Sequence, residues 1–177
     1  MINEIEKVLI SKEELKERIA QLGQEIYNDY LDEPIFALCI LRGSFVFFAD
    51  LVRNIDKPVE VAFLHAASYF GGTESAGHVK IDEHMVDVTG KNLIIIEDIV
   101  DSGRTLAALK EQFKDKNPRS IKICTLLDKP DRRVVPVDVD YVGFVVPDEF
   151  VVGYGLDYDQ KFRNLPYIGV LKREVYS

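Results

Sequence analysis

One segment decides the fold of this chain, Leu93-Ile94-Ile95-Ile96-Glu97-Asp98-Ile99-Val100-Asp101-Ser102-Gly103-Arg104-Thr105. Its four leading apolar residues predict a short buried strand, with Glu97 and Asp98 at the end of that strand. Asp101 then opens a Ser-Gly-Arg-Thr turn that leads into a helix. Open α/β proteins bind phosphorylated ligands with this arrangement of strand end, small-residue turn and helix N-terminus. The segment therefore predicts an α/β fold with a phosphate site.

The rest of the chain alternates predicted strands and helices around this segment. Strand-like apolar runs occupy residues 35–41, 59–64, 92–97, 120–127 and 140–146. Helices are predicted from a capping box at Ser11 and Glu14 to about Tyr30, and over residues 44–53 and 105–114. Buried strands that alternate with helices indicate βαβ units, so we expect a mainly parallel twisted sheet flanked by helices, with ligands at its carboxyl edge.

Composition restricts the classes of partner. The chain has 177 residues, of which 47% are hydrophobic, and a net charge of −8. Such an acidic chain lacks the clustered cations that bind nucleic acid or anionic membranes, so neither partner is expected. Its longest apolar run, residues 35–41, is too short to cross a bilayer, and residues 1–7 do not resemble a secretory signal. Cys39 and Cys124 lie in apolar runs, which indicates buried reduced thiols and a cytoplasmic protein.

The three carboxylates suggest a particular ligand. Glu97 and Asp98 are adjacent on a strand, so they are suited to accept hydrogen bonds from a vicinal diol and to hold a hydrated Mg²⁺ ion through water. The turn after Asp101 offers backbone N–H groups and hydroxyls to a phosphate dianion. Together these features favour ribose 5-phosphate. The simpler interpretation is a solvated strand end in which Ser102 caps the next helix.

Other phosphate-binding motifs are excluded by their missing residues. A P-loop needs the pattern G-x-x-x-x-G-K-[ST], but the single Gly-Lys pair, Gly90-Lys91, is followed by Asn92 and preceded by Met85 at the first glycine position. Gly153 and Gly155 begin a G-x-G pattern that does not continue as a dinucleotide fingerprint.

Residues 97–105 resemble the motif that binds phosphoribosyl pyrophosphate (PRPP) in type I phosphoribosyltransferases, in the form found in the hypoxanthine-guanine members. The resemblance extends from about Ile35 to Arg163. It implies the fold of that family in a single domain over residues 1–177, with a small hood formed by the N-terminal segment and roughly residues 148–177.

The resemblance also implies roles for individual residues. PRPP and its ribose 5-phosphate part are expected to contact Glu97, Asp98, Asp101, Ser102, Gly103, Arg104 and Thr105. Pyrophosphate is expected to contact Leu41, Arg42, Gly43 and Arg163, where some members have a cis peptide between the first two. The purine side is implied to include Lys129, Phe150, Val151 and Asp157, and Mg²⁺ to be held by Glu97, Asp98 and Asp157. A flexible loop that closes over the reacting centre is implied to begin at Ser68 and Tyr69.

The implied reaction transfers the 5-phosphoribosyl group of PRPP to N9 of hypoxanthine or guanine, with Asp101 as the general base and Lys129 as the donor to the purine O6 atom. Relatives form homodimers or homotetramers, so a homo-oligomer is expected. Two alternatives stay open. A sister enzyme that prefers xanthine shares these features, and the RNA-binding attenuator protein of pyrimidine operons shares the PRPP motif, although an RNA-binding role needs a basic surface that this acidic chain lacks.

Overall fold

The computed structural model describes residues 3–66 and 86–177, which form eight strands and four α-helices. The strands are β1 (Ile5–Ile10), β2 (Ile35–Leu41), β3 (Val59–His65), β4 (Asn92–Val100), β5 (Ser120–Asp128), β6 (Tyr141–Val145), β7 (Val151–Val152) and β8 (Ile168–Leu171). The helices are α1 (Lys12–Asp29), α2 (Phe45–Arg53), α3 (Arg104–Lys114) and α4 (Arg173–Tyr176). The predicted loop positions Ser68 and Tyr69 lie outside the described residues.

The larger sheet has five parallel strands in the order β3-β2-β4-β5-β6, which confirms the predicted parallel sheet. Its central strand is β4, the strand of the deciding segment. Because parallel strands end at the same edge, the loop after β2 and the acidic end of β4 lie side by side. Sequence alone did not give this order, but it is the order that brings the two predicted phosphate-binding segments together.

Alternate residues of β4 pack into two separate cores. Ile94 and Ile96 join the core that α1 and α2 cover, whereas Leu93 and Ile95 join the core that α3 covers. All four side chains are buried, as expected for a strand covered by helices on both faces. This double burial fixes the register of β4 and therefore the position of Glu97 and Asp98, which lie farther along the same strand.

A second sheet of three antiparallel strands, in the order β1-β8-β7, joins the two ends of the chain. Its own small core contains Ile5, Val152, Leu165 and Leu171. These strands were not predicted. The side chains in the middle of β1 are largely exposed, and β7 has only two residues, so neither has the long apolar run on which strand prediction relies.

Element ends differ slightly from the predictions. The capping box at Ser11 and Glu14 is present, and α1 ends at Asp29. β4 continues to Val100, three residues beyond the predicted end, because Ile99 and Val100 still pair with Leu127 and Asp128 of β5. Glu97 and Asp98 therefore lie inside the strand rather than after it. In the described part of the chain, no helix has the length and hydropathy needed to cross a membrane.

Candidate active site

The turn between β4 and α3 is held by an adjacent loop. The Ser102 carbonyl oxygen accepts hydrogen bonds from the backbone N–H groups of Val134 (2.9 Å) and Val135 (3.0 Å). Gly103 has a φ of +82°, and a Cβ atom there would lie 2.5 Å from the Val135 carbonyl oxygen. Only glycine fits this backbone. The turn thus leads directly into the 11-residue helix α3, and its N–H groups lie at the N-terminus of that helix, the end that attracts anions.

The loop after β2 lies against the carboxylate of Asp98. The peptide between Leu41 and Arg42 is cis. At Gly43 a Cβ atom would lie 1.7 Å from Asp98 Oδ2, so the carboxylate occupies the space beside the glycine. A cavity of about 250 Å³ opens between this loop and the β4–α3 turn. Its lining contains nine predicted ligand contacts, namely Leu41, Arg42, Gly43, Glu97, Asp98, Asp101, Ser102, Gly103 and Thr105.

Glu97 and Asp98 are partly buried carboxylates next to each other. Desolvation raises the pKa of Glu97 well above its usual value, and the negative charge of Asp98 raises it further. Desolvation also raises the pKa of Asp98, although the backbone N–H of Ile99, at 2.7 Å, and the charge of Arg163 act in the opposite direction. Two carboxylates that are costly to ionise together form a site that a cation or a sugar diol would stabilise.

Arg42 lines this cavity, and Arg163, which lines neither this cavity nor the one beside it, is joined to Arg42 through a shared partner. Arg42 donates to the Gln160 side-chain oxygen (Nη1 to Oε1, 3.2 Å), and Arg163 donates to the same oxygen (Nη2 to Oε1, 3.1 Å). Arg163 also pairs with Asp157 Oδ1 at 3.0 Å and donates to the Gly155 carbonyl oxygen at 2.8 Å. The structure therefore brings together the two arginines predicted to bind pyrophosphate. Gln160, which joins them, was missed because nothing in its sequence context marks it.

The segment that carries Arg163 is fastened to the β2–α2 region. Gly155 has a φ of +103°, and a Cβ atom at this position would lie 2.1 Å from the Gly43 carbonyl oxygen. The neighbouring hydroxyl of Tyr154 donates a hydrogen bond to Asp50 of α2. Burial and, secondly, this hydrogen bond raise the pKa of Tyr154, so the hydroxyl stays protonated as a donor. The backbone of one segment thus rests directly on the backbone of the other.

A second cavity, of about 390 Å³, lies beside the first. It contains the four residues predicted to lie on the purine side, Lys129, Phe150, Val151 and Asp157. Ile99 and Asp101 line both cavities. The site is therefore two adjoining cavities that share the Asp101 carboxylate, and the second has charged side chains as well as apolar and aromatic ones in its wall.

The Lys129 side chain is held in place although its charge is nearly buried. The residue is 8% exposed, and its Nζ atom donates to the Glu149 carbonyl oxygen at 2.6 Å. Its backbone N–H donates to the Val100 carbonyl oxygen at 2.9 Å. One ammonium proton is thereby used for orientation, and the other protons can donate to an acceptor in the cavity.

Asp101 has a cationic partner that sequence reasoning missed. Arg132 Nε lies 3.3 Å from Asp101 Oδ1, and Arg132 Nη1 lies 3.6 Å from Asp148 Oδ2 on the other side of the cavity. All three side chains are about half exposed, so the attraction is screened by water and worth at most about 1 kcal/mol. A ligand can displace Arg132 at little cost.

Two predicted site residues, Arg104 and Asp157, are less available to a ligand than predicted. The Arg104 side chain is exposed and lines neither cavity, so only its backbone N–H, which faces Ser102 Oγ at 3.4 Å, lies at the turn. Asp157 already forms an ion pair with Arg163 and accepts a hydrogen bond from the Gln160 N–H at 2.9 Å. Within residues 3–66 and 86–177, three or more acidic, histidine or cysteine side chains nowhere gather closely enough to hold a metal ion by themselves.

Comparison with known proteins gives consistent matches. The family model of the phosphoribosyl transferase domain matches residues 9–159. The hypoxanthine-guanine phosphoribosyltransferase of Streptococcus pneumoniae is 48% identical over 176 residues, which cover 99% of this chain and 98% of that protein. The enzyme of the same name from Bacillus subtilis is 50% identical over 178 residues, covering 100% and 99% of the two chains.

Solved structures agree with these sequence matches. A hypoxanthine phosphoribosyltransferase from Staphylococcus aureus superposes with a TM-score of 0.93 at 44% identity, covering 99% of this chain and 96% of that one. A hypoxanthine-guanine phosphoribosyltransferase from Bacillus anthracis, with a HEPES molecule in its active site, superposes with a TM-score of 0.89 at 48% identity, covering 96% and 100%. The similarity therefore includes both sheets.

The contact between Gly155 and Gly43 can be tested with alanine. Gly155→Ala must adopt a positive φ and also displace the Gly43 carbonyl, so we expect lower stability and weakened binding of pyrophosphate. Gly90→Ala is the matched control, because Gly90 has a φ of +68° but no atom within 4 Å of a built Cβ. The control variant should lose about 1–2 kcal/mol of unfolding free energy, and its affinity for pyrophosphate should not change. Urea unfolding measures the stability of each variant, and calorimetric titration measures its affinity for pyrophosphate. The same stability and the same pyrophosphate affinity in both variants would contradict the prediction.

The buried charge of Glu97 can be tested through the pH dependence of stability. Because the folded-state pKa of Glu97 is raised, ionisation destabilises the folded protein above that pKa, and the cost disappears as pH falls toward the ordinary value of 4.5. We expect Glu97→Gln to melt at a higher temperature than the parent protein at pH 7.5 without metal, with a difference that shrinks on acidification. Thermal melts between pH 4.5 and 8 measure this, with the exposed Glu111→Gln as control. A difference that grows on acidification would refute it.

Proposed function

The chain belongs to the phosphoribosyltransferase family, and we propose that it transfers the 5-phosphoribosyl group of PRPP to N9 of hypoxanthine or guanine, giving IMP or GMP and pyrophosphate. It is a transferase of purine salvage. One observation carries the proposal: Asp101 lies where a polar cavity of phosphate-binding type meets a cavity with an aromatic wall and a buried lysine. A sugar phosphate in the first places its anomeric carbon beside a base in the second.

The ribose 5-phosphate part of PRPP occupies the β4–α3 turn in this proposal. The N–H groups from Ser102 to Thr105 and the two hydroxyls at those positions surround the 5′-phosphate at the N-terminus of α3. Gly103 lets the backbone approach the phosphate, and Arg104 contributes its backbone N–H. Glu97 and Asp98 accept hydrogen bonds from the two ribose hydroxyls, which supports their ionised state in a site that otherwise disfavours it.

Mg²⁺ is the proposed cofactor, and the residues present fit it. Hard carboxylate oxygens suit this ion, which keeps several waters and is usually shared between a protein carboxylate or two and substrate phosphates. Glu97 and Asp98 supply such oxygens at the cavity and are poorly neutralised without a cation. Asp157, already bonded to Arg163, contributes through water. When bound, the ion neutralises charge on the leaving pyrophosphate.

Arg42 and Arg163 stabilise the leaving pyrophosphate. Their shared contact with Gln160 holds both guanidinium groups at one side of the cavity, near the β2–α2 loop. Arg42 and Gly43 also line this cavity, and their backbone N–H groups add further donors. Negative charge that develops on the departing oxygen is therefore met by groups already in position, which lowers the barrier more than flexible charges would.

The purine base occupies the second cavity. Phe150 stacks on its face, a contact worth about 1–3 kcal/mol that does not depend on base identity. The backbone at Val151 bonds the edge of the base. Lys129 Nζ donates to O6, which favours 6-oxopurines because the exocyclic amine of adenine would leave the ammonium group unpaired. Asp157 closes this cavity on the side that faces the pyrophosphate.

Asp101 acts as the general base at purine N7. Its carboxylate is half exposed, and among the described residues its side-chain partner is Arg132, in a weak surface pair. The incoming base displaces Arg132, and Asp101 then accepts the N7 proton as N9 attacks the anomeric carbon. Positive charge builds on the sugar as the bond to pyrophosphate breaks, and it lies between Asp101 and the two carboxylates that bind the ribose hydroxyls, Glu97 and Asp98.

We also propose a domain organisation, a location and an oligomeric state. Residues 1–177 form a single phosphoribosyltransferase domain, with a hood built by the N-terminal segment and residues 148–177; the sheet that joins β1 to β7 and β8 supports this. A cytoplasmic location is supported by the two buried free thiols, Cys39 and Cys124. A homodimer or homotetramer is supported by apolar side chains exposed on the edge strand β3.

Steady-state kinetics with PRPP, Mg²⁺ and each base tests the function. We expect kcat/KM for hypoxanthine and guanine to exceed that for adenine, and Lys129→Met to lower the two favoured values about 10- to 100-fold, because a hydrogen bond from a charged donor is lost. Lys114→Met, a surface change on α3, is the control. If no nucleotide forms with any of the bases tested, the proposed function is rejected. Turnover with xanthine alone would favour the sister enzyme, and an unchanged base preference in Lys129→Met would reject the role of Lys129.

The role of Asp101 has its own test. We expect Asp101→Asn to lower kcat by about 100-fold or more, because the amide cannot accept the N7 proton, while the KM for PRPP changes little. Asp131→Asn, an exposed substitution in the short 3₁₀ turn at Pro130–Arg132, should leave kcat unchanged. Unaltered turnover in Asp101→Asn would remove Asp101 from the proton transfer.

A further inference from the structure

The ring of Phe150 already has an aromatic neighbour on one of its faces. Tyr176 stacks on it with 4.7 Å between ring centroids and 23° between ring planes. Tyr158 meets it edge-on, at 5.6 Å and 87°. Both stacked rings are only about one third exposed, at 36% for Phe150 and 37% for Tyr176, and both line the second cavity. The Phe150 ring therefore has one face covered by Tyr176 and packs perpendicular to the ring of Tyr158.

Tyr176 is placed there by two backbone anchors. The Leu171 N–H donates to the Phe150 carbonyl oxygen at 2.8 Å, and the Lys172 N–H donates to the Glu4 carbonyl oxygen at 2.9 Å. Helix α4 follows at once, and Val175 packs into the small core of the three-stranded sheet. The last residue of β8 thus lies beside Phe150, and the chain returns to Phe150 five residues later at the ring of Tyr176.

The stacking geometry decides where a base can lie. At 4.7 Å the two rings are in direct contact, so no base fits between them. The face of Phe150 away from Tyr176 remains, and the same cavity has apolar side chains from Ile99 and Leu156 to cover the far side of a base. A purine between Phe150 and these side chains is the third layer of a stack that begins with Tyr176.

We infer that Tyr176 is a positioning residue for the purine: it supports the ring of Phe150 from behind and thereby raises the affinity for the base. The inference rests on the proposed function and extends it to a residue outside the resemblance. A ring already ordered by packing loses less rotamer entropy when a ligand stacks on it. The effect belongs to the base alone, because Tyr176 lines the purine cavity and not the sugar-phosphate cavity.

Calorimetric titration of the full chain with GMP, IMP and ribose 5-phosphate separates this role from a general loss of structure. We expect Tyr176→Ala to weaken GMP and IMP about three- to tenfold, the range of one aromatic pair, and to leave ribose 5-phosphate unchanged. Tyr176→Phe should restore nucleotide affinity because it keeps the ring. Glu174→Ala, an exposed change on the same helix, is the matched control.

The other outcomes contradict the inference in distinguishable ways. Tighter GMP binding by Tyr176→Ala would show that Tyr176 occupies the place of the base. Equal weakening of GMP and ribose 5-phosphate would indicate a structural role, and unchanged GMP binding would indicate none. If the parent protein does not bind GMP and IMP more tightly than ribose 5-phosphate, the proposed function itself fails, and the inference about Tyr176 fails with it.

Discussion

The close approach of three backbone segments at Gly43 is the constraint on which the site depends. The Asp98 carboxylate of β4 occupies the space beside the Gly43 α-carbon, and Gly155 lies against the Gly43 carbonyl oxygen. Because neither glycine leaves room for a side chain, the central strand, the loop after β2 and the segment that carries Arg163 share one contact region. The β3-β2-β4 order of the parallel sheet makes this contact geometrically available. A displacement of any one segment would move groups in both cavities.

This constraint has an electrostatic cost that the ligands can offset. Packing the β2 loop onto β4 removes water from Glu97 and Asp98, and the pKa values of both carboxyl groups rise as a result. The charge of Arg163 lowers the pKa of Asp98, but desolvation raises it by more. This cation therefore offsets only part of the cost of ionising the carboxyl group. The unliganded protein therefore holds an arrangement that becomes favourable when hydroxyl groups and a cation arrive. Sites arranged in advance for a ligand commonly show such perturbed carboxylates.

Sequence patterns predicted those parts of the molecule whose structure is determined by neighbouring residues in the chain or by a run of buried apolar residues. The run at Leu93–Ile96 is apolar because both faces of β4 are covered, and the capping box at Ser11 works within a single turn of chain. Strands β1 and β7 could not be found this way, since they are held by pairing with β8 rather than by a pattern of their own. Gln160, Arg132 and Tyr176 were missed for a related reason. Each acts through a partner far away in sequence, and a single chain read without its contacts does not show such pairs.

The arrangement of charge around the two cavities suits a reaction in which the bond to the leaving group breaks early. Arg42 and Arg163 are joined at Gln160 beside the β2–α2 loop, whereas Glu97, Asp98 and Asp101 lie along β4 and the turn after it. In the proposed reaction, the departing pyrophosphate faces the cations and the sugar, as it becomes positive, faces the carboxylates. Fixed charges of both signs stabilise such a separation most when the backbone holds them, because they need no reorganisation as the bond breaks. The two glycines that allow the backbone segments to touch thus also hold the opposite charges a fixed distance apart.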